Sequence, residues 1–176
     1  MEDINIKKVI IAALITLALL FLGNYLITDY RIDRQLKKEL LKLSQVKEVK
    51  INQAKKYHLN LLLVEIDDLA ALNLKLRTKI EEILATDDYK LELYGKESTK
   101  LKEIYKRINL ALYESLVTGK YTTFGKTVEE YKEQYNLEEA EVKVDNKYIY
   151  LTLVDNRGAI YKVLTRSRAK VGEEDG

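Results

Sequence analysis

The stretch LNLLLVEIDDLAALNLKLRTKIEEIL, residues 59–84, changes its hydrophobic period partway along. Leu59 to Ile66 is almost continuously apolar, which predicts a strand buried on both faces. From the Asp67-Asp68 pair onward, Leu69, Leu72, Leu76, Ile80 and Ile83 recur at steps of three and four. That repeat belongs to a helix with one buried side, and either aspartate can accept the free amide hydrogens of its first turn. A strand running into a one-faced helix asks for a fold that layers helices on sheet.

On the downstream side, YKLELYG (89–95) sets Tyr89, Leu91 and Leu93 on one face and ends at Gly95. Two strands flanking one helix are expected to lie parallel, joined by a right-handed crossover. Upstream, VKEVKIN (46–52) alternates Val49 and Ile51 with charges, the pattern of a half-exposed strand. The expected unit is ββαβ over about 46–95. Ser98 or Thr99 then opens a helix striped by Leu101, Ile104, Tyr105, Ile108, Leu112 and Leu116, with Gly119 as its left-handed terminator. A shorter helix over about 123–135 carries Phe124, Val128, Tyr131 and Tyr135 and stops at Asn136, so two helices occupy about 99–135. EVKVD (141–145), KYIYLTLV (147–154) and AIYKVLT (159–165) predict a C-terminal antiparallel β-meander over about 141–165. Its turns fall at Asp145-Asn146 and at Asp155-Asn156-Arg157-Gly158, residues that tolerate positive φ. The class is α+β, with one domain over 44–165 and no repeat or linker inside it.

Toward the N-terminus the chain changes character. VIIAALITLALLFLGNYLIT, residues 9–28, is twenty residues without a charge, twelve of them Leu, Ile, Val or Phe. A helix of that length spans about 30 Å, the thickness of a hydrocarbon core, so a transmembrane helix over 9–28 is expected behind a short tail, 1–8. Its anchoring side chains would be Val9, Ile10, Ile11, Leu14, Leu17, Leu20, Phe21 and Tyr25. A buried core helix and a cleaved signal peptide are the competing readings, but a domain of this size cannot wrap such a helix on every face, and Phe21 is too large for the small-residue cleavage pattern that it would form with Gly23. A juxtamembrane amphipathic helix over 29–43 follows, with Ile32, Leu36, Leu40 and Leu43 on one stripe. Lys7, Lys8, Arg31, Arg34, Lys37 and Lys38 would meet lipid headgroups, although a plain connector packed on the domain explains that stripe equally well. The excess of Lys and Arg after the span leans toward a cytoplasmic domain, whereas a short basic N-terminus also suits export. The expected localisation is single-pass membrane with the side left open. The tail from Arg166 to Gly176 is polar and expected to be disordered.

Composition narrows the chemistry. The net charge is +2, from 30 basic and 28 acidic side chains, so the one-sided excess of Lys and Arg that drives nucleic-acid binding is missing. There is no cysteine, which removes disulfides, thiolate metal sites and a Cys nucleophile. Tyr is frequent, 13 beside two Phe and no Trp, and such rings suit half-buried positions where the phenol oxygen stays wet.

No convergent catalytic set emerges from the motifs. His58 stands alone before the apolar strand, with no HExxH and no nucleophile elbow to serve, and reads as a loop or strand-edge residue. TGKYTT (118–123) fails as a phosphate loop, because Glu114 stands where the first glycine belongs and Tyr121 follows Lys120. No GxGxxG occurs. The acidic doublets at 67–68, 81–82, 87–88, 129–130 and 138–139 fall at helix starts, on solvent faces or in loops, where capping and solubility account for them. The basic run Lys100, Lys102, Lys106, Arg107 reads as a solvated helix face.

No catalytic, cofactor-binding or metal-binding residue is therefore assigned. The expected role is a non-enzymatic, single-pass membrane-anchored module that serves as a protein-interaction or assembly subunit of a membrane complex. Its partners would be membrane lipid and either another protein or a second copy, without nucleic acid, metal or cofactor. A small-ligand or sensor domain on an anchor is the alternative, and a carboxylate-dependent cell-wall hydrolase a further one. In element order alone, residues 31–95 are similar to the ring-building domains of secretion and sporulation complexes, with Gln45-Val46 where a glycine-valine pair often precedes the first strand there.

Overall fold

The computed structural model describes residues 6–53 and 56–166, with the side chains of 6–12, 20–29 and 53 left aside. The elements run α1 (Ile6–Leu40), β1 (Val46–Gln53), β2 (Tyr57–Leu63), α2 (Leu69–Leu84), β3 (Tyr89–Tyr94), α3 (Thr99–Thr118), α4 (Tyr121–Tyr135), β4 (Glu139–Val144), β5 (Tyr148–Asp155) and β6 (Gly158–Thr165). The class is α+β, with two three-stranded sheets ordered β1-β2-β3 and β4-β5-β6.

In the first sheet, β1 and β2 are antiparallel with Val49 opposite Leu61, while β2 and β3 are parallel with Leu59 opposite Leu91. The second sheet is an antiparallel meander throughout. The two meet at a corner where the Ala159 amide donates to the Lys96 carbonyl at 2.8 Å. That joint needs glycine on both sides: a Cβ on Gly158 would sit 1.8 Å from the Lys96 oxygen, and one on Gly95 would sit 2.4 Å from the Ala159 oxygen.

Alternation along β5 and β6 serves two cores. Ile149, Leu151, Leu153 and Ile160 pack with the stripes of α3 and α4, around Ile108, Leu112 and Phe124. Tyr150 and Tyr161 point the other way and join Leu36, Leu40, Leu61, Leu76 and Ile80 of the α1–α2 side. The second sheet is thus the middle layer between two pairs of helices. In the first sheet only one face is covered: Leu59, Leu61 and Leu63 are buried, whereas Asn60 and Leu62 between them are half-buried. The strand expected to be buried on both faces is buried on one, because α3 and α4 pack on the meander and leave that side of β2 uncovered. Most described tyrosines are half-buried as expected, but Tyr150 and Tyr161 are each only 3% exposed.

The N-terminal expectation is corrected. Among the described residues no helix is long and apolar enough to cross a membrane, so neither the transmembrane helix over 9–28 nor single-pass membrane localisation is supported. The helix does not stop where the apolar run stops, but continues without a break through Arg31 to Leu40. The amphipathic helix expected over 29–43 is, as far as Leu40, the C-terminal part of this same α1. Its stripe packs on the domain: Leu36 and Leu40 are fully buried, Leu43 is buried and Ile32 lies against the same cluster. The tails expected at 1–8 and 166–176 lie outside the described residues, apart from the backbone of 6–8 and Arg166.

Candidate functional site

Two features stand apart from ordinary core and surface. One is the outer half of α1. Ala13 to Leu19 is exposed at every position, and Leu14, Ile15, Leu17 and Leu19 are 51–63% exposed. Seven consecutive positions span nearly two helical turns, so no side of this segment rests on the domain. Leu14 and Leu17 are two of the residues expected to anchor the chain. The side chains of the others (Val9, Ile10, Ile11, Leu20, Phe21, Tyr25) and of Lys7 and Lys8 lie outside the described residues. Arg31, Arg34, Lys37 and Lys38 are exposed on the inner half, on the side away from the Leu36–Leu40 stripe, and with no membrane span supported their expected headgroup contact loses its setting.

The other feature is a cleft between α2 and the start of β5. Asp68 fixes the beginning of α2, its Oδ1 accepting from the amides of Ala70 at 2.9 Å and Ala71 at 3.0 Å. The stripe Leu69, Leu72, Leu76 and Ile80 then turns inward, which carries the neighbouring Asn73 to 1% exposure and leaves Arg77 one turn further on, half-buried. Strand β3 contributes Tyr89, and β5 contributes Tyr148 and Tyr150.

The Asp145-Asn146 turn holds the rim. Asp145 Oδ1 accepts from the amides of Lys147 at 2.7 Å and Tyr148 at 2.6 Å, and its Oδ2 accepts from the Tyr150 hydroxyl at 2.6 Å. Burial alone would raise this carboxyl, but those three hydrogen bonds and the nearby Arg166 outweigh it and hold Asp145 below its ordinary range. Tyr150 is pushed up, by burial first and by the hydrogen bond to Asp145 second. With its one proton given to Asp145, the Tyr150 oxygen can only accept from Asn73 Nδ2, a long contact at 3.4 Å. That orientation leaves Asn73 Oδ1 buried without a hydrogen-bond partner.

Arg77 lies among rings. Its Cζ is 4.6 Å from the Tyr148 centroid and 5.6 Å from that of Tyr89, and its Nη1 approaches the Tyr89 hydroxyl at 3.4 Å. Tyr89 in turn donates to Glu81 Oε1 at 2.9 Å; burial, followed by that bond, pushes its hydroxyl up to about 12. Arg77 Nε is buried and unpartnered, and no carboxylate pairs with Arg77 among the described residues. The cleft has a volume of about 540 Å³ and is walled by Ala70, Leu74, Arg77, Asp145, Tyr148 and Tyr150. Chemically it offers a cation held by aromatic faces and an unused amide acceptor, a combination suited to binding and orientation.

The remaining motif residues agree with their expected places only in part. His58 is exposed on β2, inside the strand and not in the loop before it. Glu82, Asp87, Glu129, Glu130 and Glu138 are exposed, while Glu139 in β4 is half-buried and raised by that burial and by Glu141. Gly119 ends α3 at φ 72, as its position suggested. Lys100 donates to the Tyr135 carbonyl at 2.6 Å, so part of the basic run fastens α3 to the end of α4. Among the described residues no group of three His, Cys, Asp or Glu could hold a metal ion. Sequence reasoning missed Asn73 and Arg77; the available signal was an asparagine set inside an apolar helical stripe. No family model, curated protein or solved structure matches this chain.

Proposed function

We propose that this chain is a non-enzymatic assembly module whose outer α1 segment pairs with the same segment of a second copy. The observation that supports this is the exposure of Leu14, Ile15, Leu17 and Leu19 on a helix whose inner half is rooted in the domain core. An apolar helical segment exposed at each described position gains free energy by burying that surface against an apolar partner. A second copy supplies a helix of the same apolar character, without charges to match, whereas a polar or charged partner would leave its own groups unsatisfied.

Magnitude sets the expected strength. Full burial of such side chains is worth about 1.5–3 kcal/mol each, and roughly half of that remains to be gained here. For two helices the four positions sum to roughly 6–12 kcal/mol, which overlaps an association cost of about 4–15 kcal/mol. Pairing through these positions is therefore expected to depend on concentration. Sedimentation of the full-length chain across a concentration series tests it. Dimer should grow with concentration and vanish when Leu14, Ile15, Leu17 and Leu19 are replaced by Gln, while the folded domain keeps its melting temperature. A chain that stays monomeric at every concentration, or a quadruple variant that still dimerises, would end the proposal.

A further inference from the structure

The geometry points to the α2–β5 cleft as a binding site for a small carboxylate-bearing molecule, whose oxyanion is taken by Arg77. This site is separate from helix pairing and does not depend on it.

Several independent observations converge on this. A cavity of about 540 Å³ is within the range of small-molecule sites. Its wall holds a guanidinium that makes no direct ion pair with a carboxylate among the described residues, flanked by the faces of Tyr148 and Tyr89. Tyr89 uses Nη1, so the edge formed by Nε and Nη2 is the one left for a planar oxyanion, which it can grip with two parallel hydrogen bonds. Nε is shielded from solvent and has no partner, and Asn73 Oδ1 shares that condition on a side chain only 1% exposed. Burying the Nε donor without a partner is costly, and an oxyanion that meets it recovers that cost, whereas Asn73 Oδ1 would need a donor group elsewhere on the ligand. Nε is buried, so docking through it requires the Arg77 side chain to move.

Two acids, Glu81 and Asp145, line the same cleft, so a carboxylate has to seat on the Arg77 side away from them. Asp145 is committed to two backbone amides and the Tyr150 hydroxyl, and Glu81 accepts from Tyr89. Lys147 stands exposed beside the rim and adds a second positive charge to the approach. Ala70 and Leu74 supply an apolar side against which a flat carbon body can lie. The ligand class that fits is thus a small organic acid with an unsaturated or aromatic body.

Titration of the isotope-labelled full-length chain with benzoate, and separately with benzamide, at constant ionic strength tests the assignment by amide chemical shifts. Benzoate should give saturable shifts at residues 70–81 and 145–150, and benzamide, which has the same shape without the charge, should not. Arg77→Gln should weaken benzoate binding by about tenfold or more, the worth of a charge-assisted hydrogen bond. Arg77→Lys, which keeps the charge and loses the fork, should recover only part of it. No saturable shift with benzoate, equal binding of benzamide, or unchanged affinity in Arg77→Gln would each overturn the assignment. If the Arg77→Gln spectrum shows an unfolded chain, the benzoate–benzamide contrast on the unmodified protein decides alone.

Discussion

The two halves of α1 are one helix with two relations to solvent. On the inner half, apolar residues are confined to the Ile32, Leu36, Leu40 stripe, and charges fill the other sides; Leu36 and Leu40 are 0% exposed. On the outer half, apolar residues fall on all sides, and Leu14, Ile15, Leu17 and Leu19 remain more than half exposed. Helicity is shared, so the difference lies in what each pattern can bury against. A stripe fits one surface, and the domain provides it in α2 and the first sheet. An apolar girdle would need a surface on every side, and a domain of this size offers one side at most.

Four substitutions separate these roles, in descending order of effect. Leu40→Ala should destabilise the domain by about 2–5 kcal/mol, measured as a lowered urea midpoint, because it opens a cavity in a filled core. Asp155→Asn comes next, at about 1–3 kcal/mol near neutral pH, since that carboxylate accepts from the Ser98 hydroxyl at 2.6 Å and the Arg157 amide at 2.9 Å. Burial would raise Asp155, but the bonds from Ser98, Arg157 and Gly158 outweigh it and hold the carboxyl below its ordinary 3.8. A depressed acid stabilises the fold fully above the unfolded value, and that stabilisation fades as pH falls through the folded value. The unmodified chain should therefore lose stability below about pH 4, and the Asn variant should lack that part of the loss when melts are compared across acidic pH.

Asp68→Ala removes the cap on α2, the helix against which the inner half of α1 packs, and should cost about 0.5–2 kcal/mol by the same urea assay. Leu17→Ala, chemically identical to the first substitution, should move the midpoint by no more than about 0.5 kcal/mol, the range of surface changes. Should Leu17→Ala prove as damaging as Leu40→Ala, the outer half is packed on the domain after all and the contrast fails.

Much of the fold was legible because its elements obey one period each. The stripes at Leu69–Ile80 and Leu101–Leu112 gave α2 and α3. The alternation of Val49 and Ile51, and of Tyr89, Leu91 and Leu93, gave strands with the right buried side, and the Asp-Asn turns separated the meander. Three points were not legible, each for a physical reason. Leu62 and Val64 read as buried because apolar side chains extended the run, yet burial also depends on what covers the second face, and no local pattern reports that. The apolar run at 9–28 marked a segment whose described side chains, 13–19, are exposed; counting its residues could not tell what would cover them. The cleft was invisible because its parts come from 73–77, 89 and 145–150, and a site assembled by the crossover of β3 and the return of β5 leaves no spacing to find.

The corner between the sheets carries a consequence for sequence drift. Gly95 and Gly158 stand where two backbones touch, and no side chain, however small, can replace a hydrogen there without separating the strands. Their constraint is mutual: relaxing one leaves the other still pressed against a carbonyl. Any distant cousin that keeps this corner should retain both glycines even where every leucine has been exchanged for another aliphatic residue. The pair is a fingerprint for recognising such a cousin once overall similarity has faded.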